Sequence, residues 1–343
     1  LQNQSDTLLQ KVLSESDKYQ WQCQFSYLDG SRWHKVFIGD SIQYYYPAST
    51  VKLPLALLAL EKLNELNIPL QAHYKTQGEN DWQTFEQDLE DIFVLSGNES
   101  YNRLFDFLGG RDKINKRIHQ LDINAIIQHK LAINRAYTSK VRNTKVKVNQ
   151  EIIKIKYPKS NPISALKIIG VHKGIGYIEK GKIKSVPMDF TNKNYLPIPT
   201  LQEILQRLVY PDYFSKEKRF NITEEQRSKV LYWMQVFPKE IGKDSIKYPD
   251  NYVKFFLFGE TPIIERNDWQ IFNKIGMAYG TLTDNAWIYN KVTKENFFLT
   301  STILVNQNQI FNDNQYEYET IGIPFLHRLS WAIIDWMQLP QKN

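Results

Sequence analysis

A serine and a lysine three residues apart, Ser49 and Lys52, stand in the stretch PASTVKLP, and the apolar run LALLALEKL follows at once. On a helix that spacing sets both side chains on one face. A hydroxyl at a helix N-terminus lies in the field of the helix dipole, among backbone N–H groups that have no intrahelical partner. A lysine beside it whose charged form is disfavoured by burial or by a second cation can take the hydroxyl proton, and the serine then becomes a nucleophile for acyl transfer. Ser-x-x-Lys alone has a plainer reading, a solvated pair at a helix start. Pro47 before it and the apolar helix after it favour chemistry, because a lysine there is costly unless it is paired or neutral.

Two further triplets follow in order. Ser96-Gly97-Asn98 opens a helix in LSGNESYNRLFDFLG, and Lys274-Ile275-Gly276 lies in the strand-like IFNKIGMAYGTLTDNAWI. With all three, the chain resembles the penicillin-recognising serine enzymes, the class A β-lactamase and penicillin-binding protein superfamily, which is marked by Ser-x-x-Lys, Ser-x-Asn and Lys-Thr/Ser-Gly. The resemblance covers most of the chain apart from a segment near residues 139–195. It implies an α/β (α+β) fold of β-lactamase/transpeptidase type, with an antiparallel sheet flanked by helices and a mostly helical subdomain. It also implies roles. Ser49 attacks a carbonyl and becomes acylated, Lys52 takes its proton, and Ser96 relays the proton to the leaving nitrogen. Asn98 binds the substrate amide and fixes Lys52, and Lys274 holds Ser96 and draws in a substrate carboxylate. The N–H groups of Ser49 and Met277 form the oxyanion hole, with Gly276 and Thr281 on the substrate-binding strand and turn. Two lysines near one serine are expected to lower each other's pKa.

The pattern departs from the family in two places. The middle of the third triplet is Ile275, where the family usually has a hydroxyl residue; Thr281 or Thr283 could substitute. Class A enzymes activate the deacylating water with a glutamate on a loop after the Ser-x-Asn helix, yet no glutamate occurs between Tyr101 and Gln150. His129, in IIQHKLAINRAYTSK, is a candidate base but reads more simply as a surface residue, and Glu151 comes too late. Another Lys-Gly pair, His172-Lys173-Gly174, competes for the third motif. Helices follow it rather than a strand pair and a terminal helix, so Lys274 is preferred and Lys173 reads as a solvated strand-edge lysine.

These residues need a framework, and the hydrophobic periodicity outlines one. SDTLLQKVLSESDK has the apolar face of a helix. WQCQFSYLD and HKVFIGD alternate around Asp29-Gly30 as a β-hairpin does. The helix after Pro47 is apolar nearly all round, hence central. Three short helices are expected over 80–136, with Gly109-Gly110 as a stop. Residues 139–195 are rich in β-branched residues and lysine, a β-rich insertion. PTLQEILQRLV is expected to be a helix capped by Thr200 with Glu203 in support, and TEEQRSKVLYWMQVF another. VKFFLFG, WQIFNKIGMAYG, NAWIYNKV and NFFLTSTILVN read as strands, and FLHRLSWAIIDWMQ as a closing helix. The expected domains are a discontinuous sheet domain of residues 1–46 and 252–343, and a helical subdomain of 47–251 carrying the insertion.

Composition bounds the rest. The chain has 343 residues, 42% hydrophobic and 23% charged, as a folded globular protein does. Its net charge of +6 is spread among acidic residues, which argues against a nucleic-acid surface. One cysteine, Cys23, allows no internal disulfide and sits at strand-packing spacing. No apolar run reaches the roughly 20 residues of a membrane span, and six scattered histidines imply no metal site. No cofactor is expected. The partner is a small molecule, a β-lactam or a peptidoglycan stem peptide, with cell-wall association. Lacking an initiator methionine, the chain reads as trimmed, periplasmic or secreted, with a lipid anchor before Leu1 left open. The activity expected is that of a serine hydrolase with slow or altered deacylation. The alternatives are a DD-peptidase or transpeptidase-like penicillin-binding protein, and a binding protein that kept the fold without the chemistry.

Overall fold

The first half of the chain forms α1 (Thr7–Ser14), β1 (Gln22–Asp29), β2 (Arg32–Ile38), α2 (Lys52–Glu65), β3 (His73–Thr76), β4 (Gln83–Thr84), α3 (Phe85–Val94), α4 (Asn98–Phe107) and α5 (Gly110–Gln120). Then come β5 (Thr144–Val148), β6 (Glu151–Ile155), β7 (His172–Lys173), β8 (Gly176–Glu179), β9 (Lys182–Lys184) and β10 (Met188–Asp189). The rest is α6 (Ile198–Val209), α7 (Glu224–Gln235), β11 (Trp269–Ala278), β12 (Thr281–Asn290), β13 (Asn296–Leu304), β14 (Ile310–Phe311) and α8 (Ile323–Gln338). The computed structural model describes residues 5–263 and 268–338. They fall into two units. Unit 1 takes the chain up to Thr50, Ile168–Phe190 and the chain from Phe237 onward; unit 2 takes Val51–Lys167 and Thr191–Val236.

Unit 1 is built on an antiparallel five-stranded sheet in the order β11-β12-β13-β1-β2. The β1–β2 hairpin turns at Gly30, whose φ of +56° suits a residue without a Cβ. Its register then runs from Asp29 opposite Arg32 to Cys23 opposite Ile38. β1 pairs with β13 from the distant end of the sequence, so the two chain halves share one sheet. Alternation turns Ile271, Ile275, Leu282, Leu299 and Ile303 into a core that includes Phe325 and Leu329 of α8. Cys23 is buried in β1 with its thiol pushed up to about 12 by burial, which makes it a packing residue.

One expected strand is absent. VKFFLFG starts at the last residue of a 3-10 turn, Asp250–Val253, and continues into tight turns in which Leu257 has φ +58°. Its apolar run is buried as expected, but its backbone donors go elsewhere. The N–H groups of Phe255 and Phe256 both donate to the Asp284 carboxylate at 3.1 Å, and that of Leu257 donates to Ser330 Oγ at 2.9 Å. A buried carboxylate that accepts two backbone donors replaces a ladder, so hydrophobicity alone misread the element.

In unit 2, α2 is buried all round, with Leu53, Leu55, Leu57, Leu58, Leu60 and Leu63 each hidden from solvent. Each such side chain contributes about 1.5–3 kcal/mol by leaving water, which fixes this helix as the axis for α3, α4 and α5. Capping boxes of Thr84 with Gln87 and Thr223 with Gln226 start α3 and α7. The cap expected at Thr200 is not used: α6 begins at Ile198, with Pro197 at the N-cap and no side-chain bond there. A proline in the first turn needs no N–H partner, and that preference set the start instead.

The β-rich insertion is shared out. Its β5 and β6 join β3 and β4 in a four-stranded sheet of unit 2, whereas β7–β10 belong to unit 1 as short ladders, β10-β7 and β14-β8-β9. Among the described residues no helix is long and apolar enough to cross a membrane.

Candidate active site

The first segment of unit 1 ends in a 3-10 turn, Ala48–Val51, whose last residue opens unit 2. Thr50 tightens the turn, its N–H and hydroxyl both donating to Pro47 O, at 3.0 and 2.6 Å. Ala48 takes φ +45°, a left-handed geometry that costs about 1–2 kcal/mol for a residue with a Cβ. Ser49 is half-buried while Ala48 and Thr50 on either side are buried, so the serine alone faces outward from the turn. Strand β11 runs hard against this turn. A Cβ on Gly276 would meet Pro47 O at 2.6 Å and Thr50 N at 3.2 Å, so the third motif's glycine is needed for contact with the serine-bearing turn. The next residue, Met277, is 45% exposed.

Alternation sorts β11. Lys274 and Gly276 lie opposite Asn285 and Thr283 of β12, on the face away from the core. Ile275 lies opposite Asp284 and packs into the core of unit 1. Lys274 is buried and donates to Ile275 O at 3.0 Å. Of the two candidate substitute hydroxyls, Thr283 donates to Thr302 Oγ1 at 2.8 Å within the sheet, and Thr281 lies buried opposite Ala278 at the turn. Tyr46, just before the turn, and Tyr279, just after Met277, meet edge-to-face at 5.3 Å. Phe190 of the insertion packs on both, at 5.8 and 5.6 Å.

In unit 2, α2 begins at Lys52, one helical turn beyond Ser49 along the chain. Its side chain has 0% exposure. Its ammonium donates to Ser96 O, to Asn98 Oδ1 at 2.8 Å and to Ser96 Oγ at 3.4 Å. Burial pushes Lys52 down to about 7, opposed by the Asp91 charge, so burial supplies the lowering that the sequence reading ascribed to a second lysine. The first two motifs therefore meet around one nitrogen.

Ser96 has φ +58°, and Gly97 follows as the N-cap of α4. Asp91, near the end of α3, explains why a glycine stands in the middle of this motif. A Cβ at position 97 would lie 1.5 Å from Asp91 Oδ2. That carboxylate also accepts from Ser100 Oγ at 2.6 Å, and Asp91 O accepts from Gly97 N at 3.1 Å. Asp91 thus fills the space that a side chain at 97 would take, and it was missed in the sequence; the only signal was the glycine itself. Gly97→Ala is expected to cost about 1–3 kcal/mol by overpacking, measured by urea unfolding. Adding Asp91→Ala should recover at least half of that loss, and a strictly additive double variant would contradict the shared space.

Two expectations about lesser candidates change. His129 is 3% exposed, not a surface residue. Its Nδ1–H donates to Lys130 O at 2.6 Å, and burial holds its pKa down at about 4. Lys173 is buried rather than solvated. Its ammonium donates to Gln20 Oε1 and lies 5.9 Å from the Tyr44 ring centroid, and burial lowers it to about 8. The short strand β7 carries it inward, which its lysine-rich context concealed. Among the described residues no group of three or more His, Cys, Asp or Glu side chains could hold a metal ion.

The architecture is that of the class A β-lactamases. The class A enzyme from Bacteroides cellulosilyticus superposes with a TM-score of 0.57 at 11% identity, covering 97% of this chain and 98% of that one. The chromosome-encoded β-lactamase of Vibrio parahaemolyticus does so at 0.56 and 11%, over 97% and 100% of the chains. The β-lactamase of Streptomyces albus G gives 0.54 and 12%, over 95% and 99%. Residues 5–154 match the β-lactamase enzyme family. That match and this fold bear out the resemblance to the penicillin-recognising serine hydrolases. No curated protein sequence matches the chain.

Proposed function

We propose that the protein is a serine hydrolase of class A β-lactamase type that forms an acyl-enzyme on Ser49 with β-lactams or D-Ala-D-Ala-like peptides. The observation that carries this reading is Lys52, wholly buried, lowered to about 7, and held by Ser96 and Asn98 one helical turn along from Ser49. A buried lysine with that pKa is half neutral near physiological pH, as a general base requires.

In the proposed reaction neutral Lys52 accepts the Ser49 hydroxyl proton as Oγ bonds to the substrate carbonyl carbon. The carbonyl oxygen takes the negative charge under the N–H groups of Ser49 and Met277. Collapse breaks the C–N bond, and the proton returns through Ser96 to the leaving nitrogen, giving an ester on Ser49. Asn98 positions the substrate amide and Lys274 its carboxylate, with Gly276 and Thr281 along the substrate strand. Hydrolysis of the ester then needs a base for water.

The lack of a glutamate between Tyr101 and Gln150 supports slow turnover of that ester, and so a second reading, a DD-peptidase or transpeptidase-like penicillin-binding protein. Either activity belongs outside the cytoplasm, at or near the cell wall, and we include that location in the proposal. A fluorescent penicillin is expected to label the protein covalently. A label lost within seconds selects the lactamase, whereas one lasting hours selects the penicillin-binding enzyme. Failure to label at all removes both and leaves the fold without the chemistry.

A further inference from the structure

The hairpin that the insertion adds to unit 2 carries a feature the acyl-transfer reading does not use. In the four-stranded sheet β4-β3-β5-β6, Lys75 of β3 lies directly opposite Lys145 of β5, and Lys145 lies directly opposite Lys154 of β6. Residues directly opposite share a face, so three ammonium-bearing side chains stand in one row across three strands. Lys147, two residues along β5, is on that face as well, and so is the exposed His73, two residues before Lys75. Lys145, Lys147 and Lys154 are exposed and Lys75 is half-buried.

The opposite face is a packing face. Tyr74 and Val146 pair there and are buried. The acidic residue of β6, Glu151, pairs with Val148 on that side and so points away from the lysines. Glu79 is engaged by Arg142 at 3.1 Å. Among the described residues no carboxylate pairs with any of the four lysines; Lys75 donates to Asn80 O, and Lys75 and Lys147 lie over the Trp82 ring.

Like charges directly opposite one another in a sheet are destabilising. An alternating strand could have placed any polar residue here at no such cost. Trp82 makes the row more definite, because its ring lies 5.1 Å from the Lys75 ammonium and 4.1 Å from that of Lys147, drawing both over one aromatic face. Strand spacing sets the lysines of the row about 5 Å apart, and Lys147 lies about 7 Å from Lys145 along β5. Four cations are thereby gathered within a patch about 10 Å across.

We propose that this face is a binding site for a linear polyphosphate-type anion, with Lys75, Lys145, Lys147 and Lys154 as its ligands. The density of the charge selects the ligand. A bilayer of singly charged headgroups spreads its charges one per lipid, whereas phosphates joined in a chain present several within the width of this row. Bound there, the anion relieves the repulsion between the lysines and releases its counterions, which drives the association.

The test is titration of the whole protein with inorganic polyphosphate over a range of salt concentrations. The native chain is expected to bind, and K145Q/K154Q to bind at least tenfold more weakly. The slope of log K against log salt should fall by about 1.4 for the two charges removed, taking about 0.7 per phosphate contact on a flexible strand. Both lysines are exposed, so the variant keeps its fold, which far-UV circular dichroism checks. K182Q/K184Q, removing two exposed lysines of β9, should bind as the native chain does. Absence of binding overturns the proposal, as does equal loss in the two variants. Sedimentation with phosphatidylglycerol vesicles without binding of polyphosphate overturns it in favour of a membrane surface.

Discussion

Ser49→Ala is expected to abolish covalent labelling by a fluorescent penicillin, slowing acylation by at least about 10⁴-fold, because the proposed ester forms on the Ser49 hydroxyl. The fold should not change. Ser49 is half-buried in a turn whose geometry is held by its neighbours, through the Thr50 bonds to Pro47 O and the close seat of Gly276. Removing one hydroxyl from such a place alters stability by less than about 1 kcal/mol. Loss of label with an unchanged unfolding midpoint therefore assigns the nucleophile. Label that persists at native stoichiometry in the alanine variant takes Ser49 out of its role.

The second large effect concerns Lys52 and has a kinetic and a thermodynamic side. With its pKa lowered to about 7, acylation by the native protein should rise about tenfold per pH unit below 7 and level off above it. Lys52→Met should slow acylation about 10²–10⁴-fold and remove that inflection. The thermodynamic side has the opposite sign. A lysine at 10.5 when unfolded and about 7 when folded binds more protons in the unfolded state between those values. Stability of the native protein therefore rises with pH from about 7 to 10.5, and the full penalty of the buried charge is felt below 7. Lys52→Met is expected to be more stable at pH 6 by about 1–3 kcal/mol, less than linkage alone allows, because Asn98 Oδ1 and Ser96 O lose their donor. The advantage should shrink as the pH approaches 10. Urea unfolding at pH 6 and pH 10 measures it. A methionine variant less stable than the native protein at both would show that Lys52 is structural.

Local pattern was enough for much of this molecule. Alternation in WQCQFSYLD and the β-branched and aromatic runs NAWIYN and NFFLTSTIL marked strands, because side chains alternate with period two whatever the tertiary context, although β13 proves buried on both faces. The all-round apolar character of α2 likewise required a central helix. Ser-x-x-Lys, Ser-Gly-Asn and Lys-Ile-Gly were legible as three separate triplets in order. Short-range chemistry writes these features, and they survive in any fold that buries the right faces.

What needed three dimensions were quantities set by residues far apart in the chain. VKFFLFG has the hydrophobicity of a strand, but Asp284 and Ser330, about 30 and 70 positions away, claim its N–H groups and turn it into a knot of tight turns. Lys173 and His129 are polar residues for which exposure was the plainer expectation, and packing buried both. The lowered pKa of Lys52 follows from burial depth, which a sequence does not encode locally. Asp91 is the sharpest case: its carboxylate fills the space left by Gly97, a relation visible only when α3 and the start of α4 are seen side by side. The row of Lys75, Lys145 and Lys154 is another, since strand register alone decides which lysines face one another. Sequence determined which residues could react and which elements carried them. Tertiary structure decided which of them are dry, which are adjacent and which way their charge equilibria lie, because desolvation and register belong to the folded chain as a whole.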